Sequence, residues 1–327
     1  MSKTSHHVLE ILSSGNLISG ESIGEMLGVS RMAVSKSIKG LCEKGLDISS
    51  VPGSGYQLSS PVQLLDKNSI HSAINNNAAE INQIEILHEI SSTSDYLLEL
   101  SHNSDINRRI CLAESQHKGR GRRQREWVAS PYRNITLSMG WRFNDGMAGL
   151  SGLGIAAGIT IVRTLHEAGF DRDIGLKWPN DIVWNDSKLG GLLIDVRGEH
   201  DGPCLAVLGL GLNLSLSATD LQAIDQPCAS LEQITNKPVD RNVLIADLVC
   251  ALAQLFEGYM ASNFEDYQRL WPGYDRLHGR KVNVTRGEIS FSGVAMGIDR
   301  LGALMLDEGK QPYSSFLSGD VSLRLAE

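Results

Sequence analysis

The chain has 327 residues, 42% of them hydrophobic and 21% charged, the balance of a folded globular protein and not of a disordered or fibrous one. Lys and Arg number 30 against 38 Asp and Glu, and the net charge of −8 argues against a protein that coats nucleic acid by bulk electrostatics. At roughly 150 residues per domain the length predicts two domains, or three if one is small.

The N-terminal Met1 to His7 has no apolar run or small-residue cleavage site, so secretion is not expected. Leu153 to Val162 is the longest nearly uncharged apolar stretch, too short for the ~20 residues of a spanning helix, and no membrane helix is expected. Cys42, Cys111, Cys204, Cys228 and Cys250 are odd in number and scattered, with no CxxC pair. They predict reduced thiols in a cytoplasm, with neither a disulfide framework nor a structural metal.

Residues 1 to 60 read as a unit. Val8, Leu9, Ile11 and Leu12 mark a first amphipathic helix; Ile23, Met26 and Leu27 mark a second. Ser30 is an N-cap for a third, in which Val34, Ile38 and Leu41 recur at i, i+4 and i+7. Two short strands, Ile48 to Val51 and Tyr56 to Leu58, flank a Pro52-Gly53-Ser54-Gly55 tip. Helices followed by a hairpin predict a winged helix-turn-helix, with the helix-turn-helix at about residues 20–39. The unit's five cations and five acids cancel, but Arg31, Lys36 and Lys39 concentrate on the third helix beside Ser30 and Ser35. That distribution suits insertion into a major groove; a protein-interaction module is the competing reading.

From about residue 66 the texture alternates. Strands are expected at Ile84 to Leu87, Ile110 to Ala113, Asp181 to Trp184, Leu192 to Val196 and Leu205 to Leu210, and helices at Tyr96 to Leu100, Leu150 to Ala168 and Val243 to Tyr259. Ile135, Leu137, Met139, Trp141 and Phe143 alternate strictly, which predicts a strand with one buried face. From Lys281 only short strands and turns remain, the pattern of a small β-barrel.

Four segments carry chemistry. Lys118-Gly-Arg-Gly-Arg-Arg-Gln-Arg125 puts five cations in eight residues, which need an anion; guanidinium forks and glycine-freed amides suit phosphate or carboxylate. A nucleic-acid-binding basic run is the alternative, disfavoured because this run lies between strands. Lys177-Trp178-Pro179-Asn180-Asp181 can present a lysine, an amide and a carboxylate from one corner, or be a plain turn. Ser187-Lys188-Leu189-Gly190-Gly191 offers backbone approach to a ligand, though a hairpin turn would use its glycines equally. Gly209-Leu210-Gly211-Leu212-Asn213 is uninformative alone.

Taken in this order, with Ser91 to Ser94, Gln116, Trp127 and the C-terminal Gly297 to Leu304, these segments resemble the biotin protein ligases. With the winged helix, the whole chain is similar to the bacterial proteins that are both biotin ligase and biotin operon repressor. The resemblance implies an α+β protein in three parts: a winged helix-turn-helix DNA-binding domain at 1–65, a mixed-sheet, class II synthetase-like biotin- and ATP-binding catalytic domain at 66–275, and an SH3-like barrel at 276–327. It implies ATP, Mg²⁺ and biotin as ligands, with biotinyl-5′-AMP as both intermediate and corepressor. The partners implied are the biotin carboxyl carrier subunit of acetyl-CoA carboxylase, operator DNA, and a second copy of the chain on adenylate binding.

By the same resemblance Ser92, Thr93, Ser94 and Gln116 hold the biotin ring, and Arg120, Gly121 and Arg122 fold over its carboxylate and the phosphates. Lys188 and Arg122 are the catalytic candidates, with Gly190 and Gly191 beside the adenylate. Lys177, Asn180, Asp181, Trp127 and Asn213 serve ATP and Mg²⁺. Taken as residues alone, Ser92 reads equally as a helix cap, Trp127 as core and Lys188 as a turn residue. Gln124 stands where the family usually has glycine, which questions how freely the loop folds, since glutamine disfavours positive φ. A biotin-sensing regulator with reduced ligase activity and a lipoate ligase are the competing functions. Retention of the cationic loop and Lys188 argues against the first, and the winged helix against the second.

Overall fold

The computed structural model describes residues 3–76, 79–144, 146–198, 202–259 and 264–325. Helices α1 (Lys3–Leu12), α2 (Gly20–Leu27) and α3 (Arg31–Glu43) precede a hairpin of β1 (Ile48–Val51) and β2 (Gly55–Leu58). Ser19 and Ser30 cap α2 and α3 by accepting from the Ser22 and Ala33 amides, and Gly28, at φ 64°, ends α2 in the left-handed region. Val8, Leu9, Leu12, Ile23, Val34, Ile38 and Leu41 close the core of this winged helix-turn-helix. Helix α3, the second of the helix-turn-helix, includes Leu41 as expected and runs to Glu43.

The central part runs α4 (Lys67–Asn76), β3 (Gln83–Leu87), α5 (Thr93–Leu100), β4 (Arg109–Ala113), β5 (Gly119–Arg120), β6 (Glu126–Trp127), β7 (Ile135–Phe143) and α6 (Leu153–Glu167). It continues with β8 (Gly175–Lys177), β9 (Asp181–Trp184), β10 (Ser187–Gly198), β11 (Cys204–Leu212), α7 (Ala218–Ala223), α8 (Leu231–Thr235), α9 (Arg241–Gly258) and α10 (Phe264–Leu270). Seven strands form one sheet in the order β3-β4-β7-β11-β10-β9-β8, antiparallel except for the parallel pair β3 and β4. Helices α6 and α9 cover one face and α5 the other.

Strand β7 departs from the one-sided burial expected of it. Its apolar residues Ile135, Leu137, Met139, Trp141 and Phe143 join the main core under α6 and α9. The opposite face, with Thr136, Ser138 and Gly140, is buried as well, because α5 lies over it. The hairpin between β9 and β10 turns at Asn185 and Asp186, both at positive φ. Gly190 and Gly191 are therefore not turn residues; β10 begins at Ser187, five residues before the expected strand, and bulges between Lys188 and Gly190.

The C-terminal strands β12 (Lys281–Arg286), β13 (Ile289–Ile298), β14 (Leu304–Asp307), β15 (Ser314–Phe316) and β16 (Val321–Leu325) make an antiparallel sheet of the small SH3-like kind, ordered β15-β14-β13-β12-β16. Val282, Val284, Leu304 and Phe316 share one continuous core with the central sheet, and the Trp178 indole donates to the Gly302 carbonyl at 3.0 Å. Met147–Glu167 has the length and apolar composition of a membrane span, but α6 within it is a core helix with Ile155, Ile159, Val162 and Leu165 buried.

The winged unit is joined to the central part by side chains. Tyr132 is buried in the N-terminal core, where burial pushes its phenol up to about 12. Arg241 and Glu114, each almost wholly buried, pair at 2.6 Å. Glu114 also accepts from the Leu65 amide, and Arg241 donates to the carbonyls of Gln63, Tyr132 and Asn134. The pair thus pins the 61–66 connection to the central sheet. None of the five cysteines is in a disulfide.

Candidate active site

The site lies on the sheet face that α5 covers, over β7, β11 and β10. Two glycines of β11 make it concave: a Cβ on Gly209 would stand 2.5 Å from the Ser94 hydroxyl, and one on Gly211 2.3 Å from the Trp127 indole. Gly119 lets the loop close in the same way, since its Cβ would lie 2.6 Å from the Gln116 amide nitrogen.

The start of α5 supplies a polar corner. Gln116 accepts from the Thr93 amide at 2.9 Å and the Thr93 hydroxyl at 3.2 Å. The hydroxyls of Thr93 and Ser94 both meet that of Ser138, at 2.7 and 2.9 Å. Ser138 is fully buried and went unnoticed in the sequence, because a serine within an alternating strand carries no signal. Ser92 caps α5, accepting from the Asp95 amide at 3.2 Å, so its oxygen acts as the helix cap that its sequence context also allowed.

Across the site the cations gather on one carboxylate. Lys188 on β10 meets Asp181 on β9 at 2.7 Å, and Lys177 on β8 is the strand partner of Asp181. Arg122 also faces the Asp181 charge. Burial pushes Arg122 and Lys177 below their ordinary pKa ranges, with the Asp181 carboxylate opposing that shift. One terminal nitrogen of Arg122 and the Trp127 indole N–H are buried without a protein partner. Lys188 lies over the Trp127 ring at 5.6 Å, joining the cationic side to the polar corner. Three cations around one anion, with donors unspent, make a pocket for an anionic ligand.

Arg120 is placed differently. It bridges Asp95 and Asp195, each at 2.7 Å, and so straps α5 to β10. Gly121 starts the turn at Arg122–Gln124, donating to the Arg125 carbonyl at 2.7 Å. The left-handed residue of this turn is Arg123, at φ 56°, not Gln124, so replacement of the usual glycine costs the backbone nothing in this conformation.

Two residues expected to serve ATP and Mg²⁺ donate their side-chain N–H groups within the fold. Asn180 donates to the Leu192 carbonyl at 2.5 Å and accepts the Leu192 amide through its own carbonyl at 3.0 Å. Asn213, 2% exposed, donates to the carbonyls of Lys188 and Ala229 and accepts from Asn134. The side-chain N–H groups of both are spent on backbone carbonyls, and Asn213 thereby holds the Lys188 main chain. Gly191 lies under the Lys188 ammonium, its hypothetical Cβ 3.6 Å from Nζ.

On α3, Arg31, Ser35, Lys36 and Lys39 are exposed on one side, while the Ser30 hydroxyl is occupied as the cap.

Three family models match the chain: an HTH domain at 4–57, the biotin/lipoate A/B protein ligase family at 87–213, and the biotin protein ligase C-terminal domain at 277–324. The chain is 34% identical to the bifunctional ligase/repressor BirA of Salmonella typhimurium, over 98% of this chain and 97% of that one. Its identity to the protein of the same name from Escherichia coli is 33%, with the same coverage. Its fold is similar to that of the Aquifex aeolicus biotin protein ligase in complex with biotin and ATP, with a TM-score of 0.61 at 21% identity, over 75% of this chain and all of that one.

Proposed function

The chain belongs to the family of bifunctional biotin ligase/repressor proteins, and from that membership we propose how its own residues share the two tasks. It is a biotin–protein ligase with a DNA-binding repressor unit. The observation that carries the site assignment is the gathering of Lys177, Lys188 and Arg122 around Asp181, with a guanidinium nitrogen still unpartnered.

Ligation proceeds in two steps. A biotin carboxylate oxygen attacks the α-phosphorus of ATP, and pyrophosphate leaves with the electrons of the broken phosphoanhydride bond. The amine of a carrier-protein lysine then attacks the carbonyl carbon of biotinyl-5′-AMP, AMP departs, and the amine's surplus proton passes to solvent. Neither step needs a protein nucleophile, because the adenylate carries its own leaving group. The protein's part is to orient two substrates and stabilise phosphate charge.

Lys188 turns from Asp181 to the reacting carboxylate and α-phosphate oxygens. Arg122 spends its free nitrogen on phosphate, and Lys177 meets the polyphosphate. The hydroxyls of Thr93 and Ser94, with Gln116, take the ureido ring of biotin, and Trp127 covers the adenylate. Among the described residues no group of three His, Cys, Asp or Glu could hold a metal unaided. Asp181 would share Mg²⁺ with the nucleotide phosphates, the kind of coordination this ion favours.

One winged helix of balanced charge binds DNA weakly, so repression calls for a second copy. Adenylate binding would favour a two-fold dimer that brings two α3 helices to a palindromic operator. The carrier is a biotin carboxyl carrier domain, and the cytoplasm is where carrier, ATP and operator meet.

The test is the mass of a biotin carboxyl carrier domain after incubation with the protein, ATP, Mg²⁺ and biotin, with lipoate in a parallel tube. A gain of one biotinyl group with biotin alone supports the assignment. Transfer of lipoate, or none of either, overturns it.

A further inference from the structure

In a helix-turn-helix the second helix enters the major groove, and its N-terminal residues meet the base edges. Of the 13 residues of α3, Val34, Ser37, Ile38 and Leu41 are buried. Met32, Ser35, Lys36 and Lys39 recur at i, i+3, i+4 and i+7, and all four are exposed, so they form one outer stripe. Met32 heads that stripe in the first turn. At 83% exposure it is the most exposed large hydrophobic side chain among the described residues.

Folding makes no use of this side chain, since the core of the unit closes on the opposite side of α3. Its neighbours on the exposed side, Arg31, Lys36 and Lys39, are cations, so whatever covers Met32 carries negative charge around an apolar spot. A major groove meets both demands: phosphates flank it, and the C5-methyl of thymine is its apolar feature. The Ser30 hydroxyl accepts the Ala33 amide at 3.2 Å, which holds its oxygen at the helix end and leaves chiefly its own proton to donate.

We propose that Met32 is a specificity-determining residue for DNA: its side chain packs against a thymine C5-methyl in each half-site while Arg31, Lys36 and Lys39 hold the adjoining phosphates. The inference rests on the DNA-binding reading of α3. An unbranched thioether suits the contact because it adapts its shape to the methyl without imposing a hydrogen-bond pattern.

The experiment selects duplexes from a random pool with the full chain in the presence of biotin, ATP and Mg²⁺, at one fixed salt concentration. In the enriched sequence each thymine is then replaced by deoxyuridine, which removes the methyl and leaves every hydrogen bond. For the unaltered protein, uracil at one position per half-site weakens binding roughly three- to fivefold, the effect of one buried methyl. Met32→Ala binds the thymine and uracil duplexes alike, and Met32→Leu keeps most of the difference. Because Met32 stands in solvent, its variants keep the unfolding midpoint, which is measured alongside.

A thymine-to-uracil loss as large in Met32→Ala as in the unaltered protein overturns the role of Met32 and leaves the DNA reading intact. Failure of the unaltered protein to enrich any sequence overturns both.

Discussion

Lys36 and Lys39 stand in open solvent on α3, whereas Lys177, Lys188 and Arg122 are part-buried around a single carboxylate. The Lys39 side chain is 79% exposed and that of Lys188 21%, and the two consequently feel different dielectrics. Charges of the first kind attract a polyanion at long range and are screened by salt within about a Debye length of roughly 8–10 Å. Charges of the second kind are costly to bury until an anion arrives, and then act strongly at short range. The first arrangement suits reversible docking on DNA; the second suits holding developing charge on a phosphate.

Three perturbations test this contrast. The largest acts on the joint between the regions: Arg241→Ala leaves the Glu114 carboxylate buried without its partner and should destabilise the chain by about 3–5 kcal/mol, read by denaturant unfolding. A loss below 1 kcal/mol would mean that the pair does not tie the winged unit to the sheet.

The next is the response to salt. DNA affinity should fall steeply between 50 and 200 mM salt, and Lys36→Ala should make the log–log slope shallower by about 1. ATP affinity, resting on sheltered cations, should change less over the same range, as titration calorimetry would read. Equal salt slopes for the two ligands would erase the distinction.

The smallest is in pH. Burial depresses the Lys177 pKa, so its ammonium is lost as pH rises through a value below that of an ordinary lysine. A depressed folded-state pKa means that the unfolded chain binds the proton more readily, so this group by itself favours folding more as pH rises across that window. Phosphate binding has the opposite sign, since only the charged form attracts the anion. ATP affinity should therefore weaken on the alkaline side earlier than a free lysine would allow, and Lys177→Arg should move that limb upward. An unmoved limb would take Lys177 out of the nucleotide contact.

Much of the fold could be read from the sequence because its signals are local. The alternation from Ile135 to Phe143 marked β7, and the helical period with the Ser30 cap marked α3. What the sequence left hidden depends on partners far away in the chain. Thr136 and Ser138 look like an exposed strand face until α5 is seen lying over them. Glu114 and Arg241 are 127 positions apart, and Tyr132 crosses into the core of another unit, so neither leaves a local trace.

In the site, the cationic loop, Lys177, Asp181 and Lys188 were legible because clustered charge and glycine are conspicuous. The backbone bonds of Asn180 and Asn213 were hidden because an amide that locks backbone and one that awaits a ligand are identical in a sequence. The turn between β9 and β10 fell on Asn185 and Asp186, residues able to take positive φ, which left Gly191 to lie beneath the Lys188 ammonium and Gly190 to pack against Ile182 and Leu212.

The most direct test of the account is biotin-dependent exchange between ATP and labelled pyrophosphate in Lys188→Ala beside Arg120→Ala. Lys188→Ala should lose roughly 10²–10³-fold in exchange rate, the usual effect of removing one group that stabilises transition-state charge, while keeping its unfolding midpoint. Arg120, already bridging two carboxylates, should cost less than tenfold when removed. Exchange in Lys188→Ala equal to that of the unaltered protein would contradict the assignment of activation to the cations around Asp181.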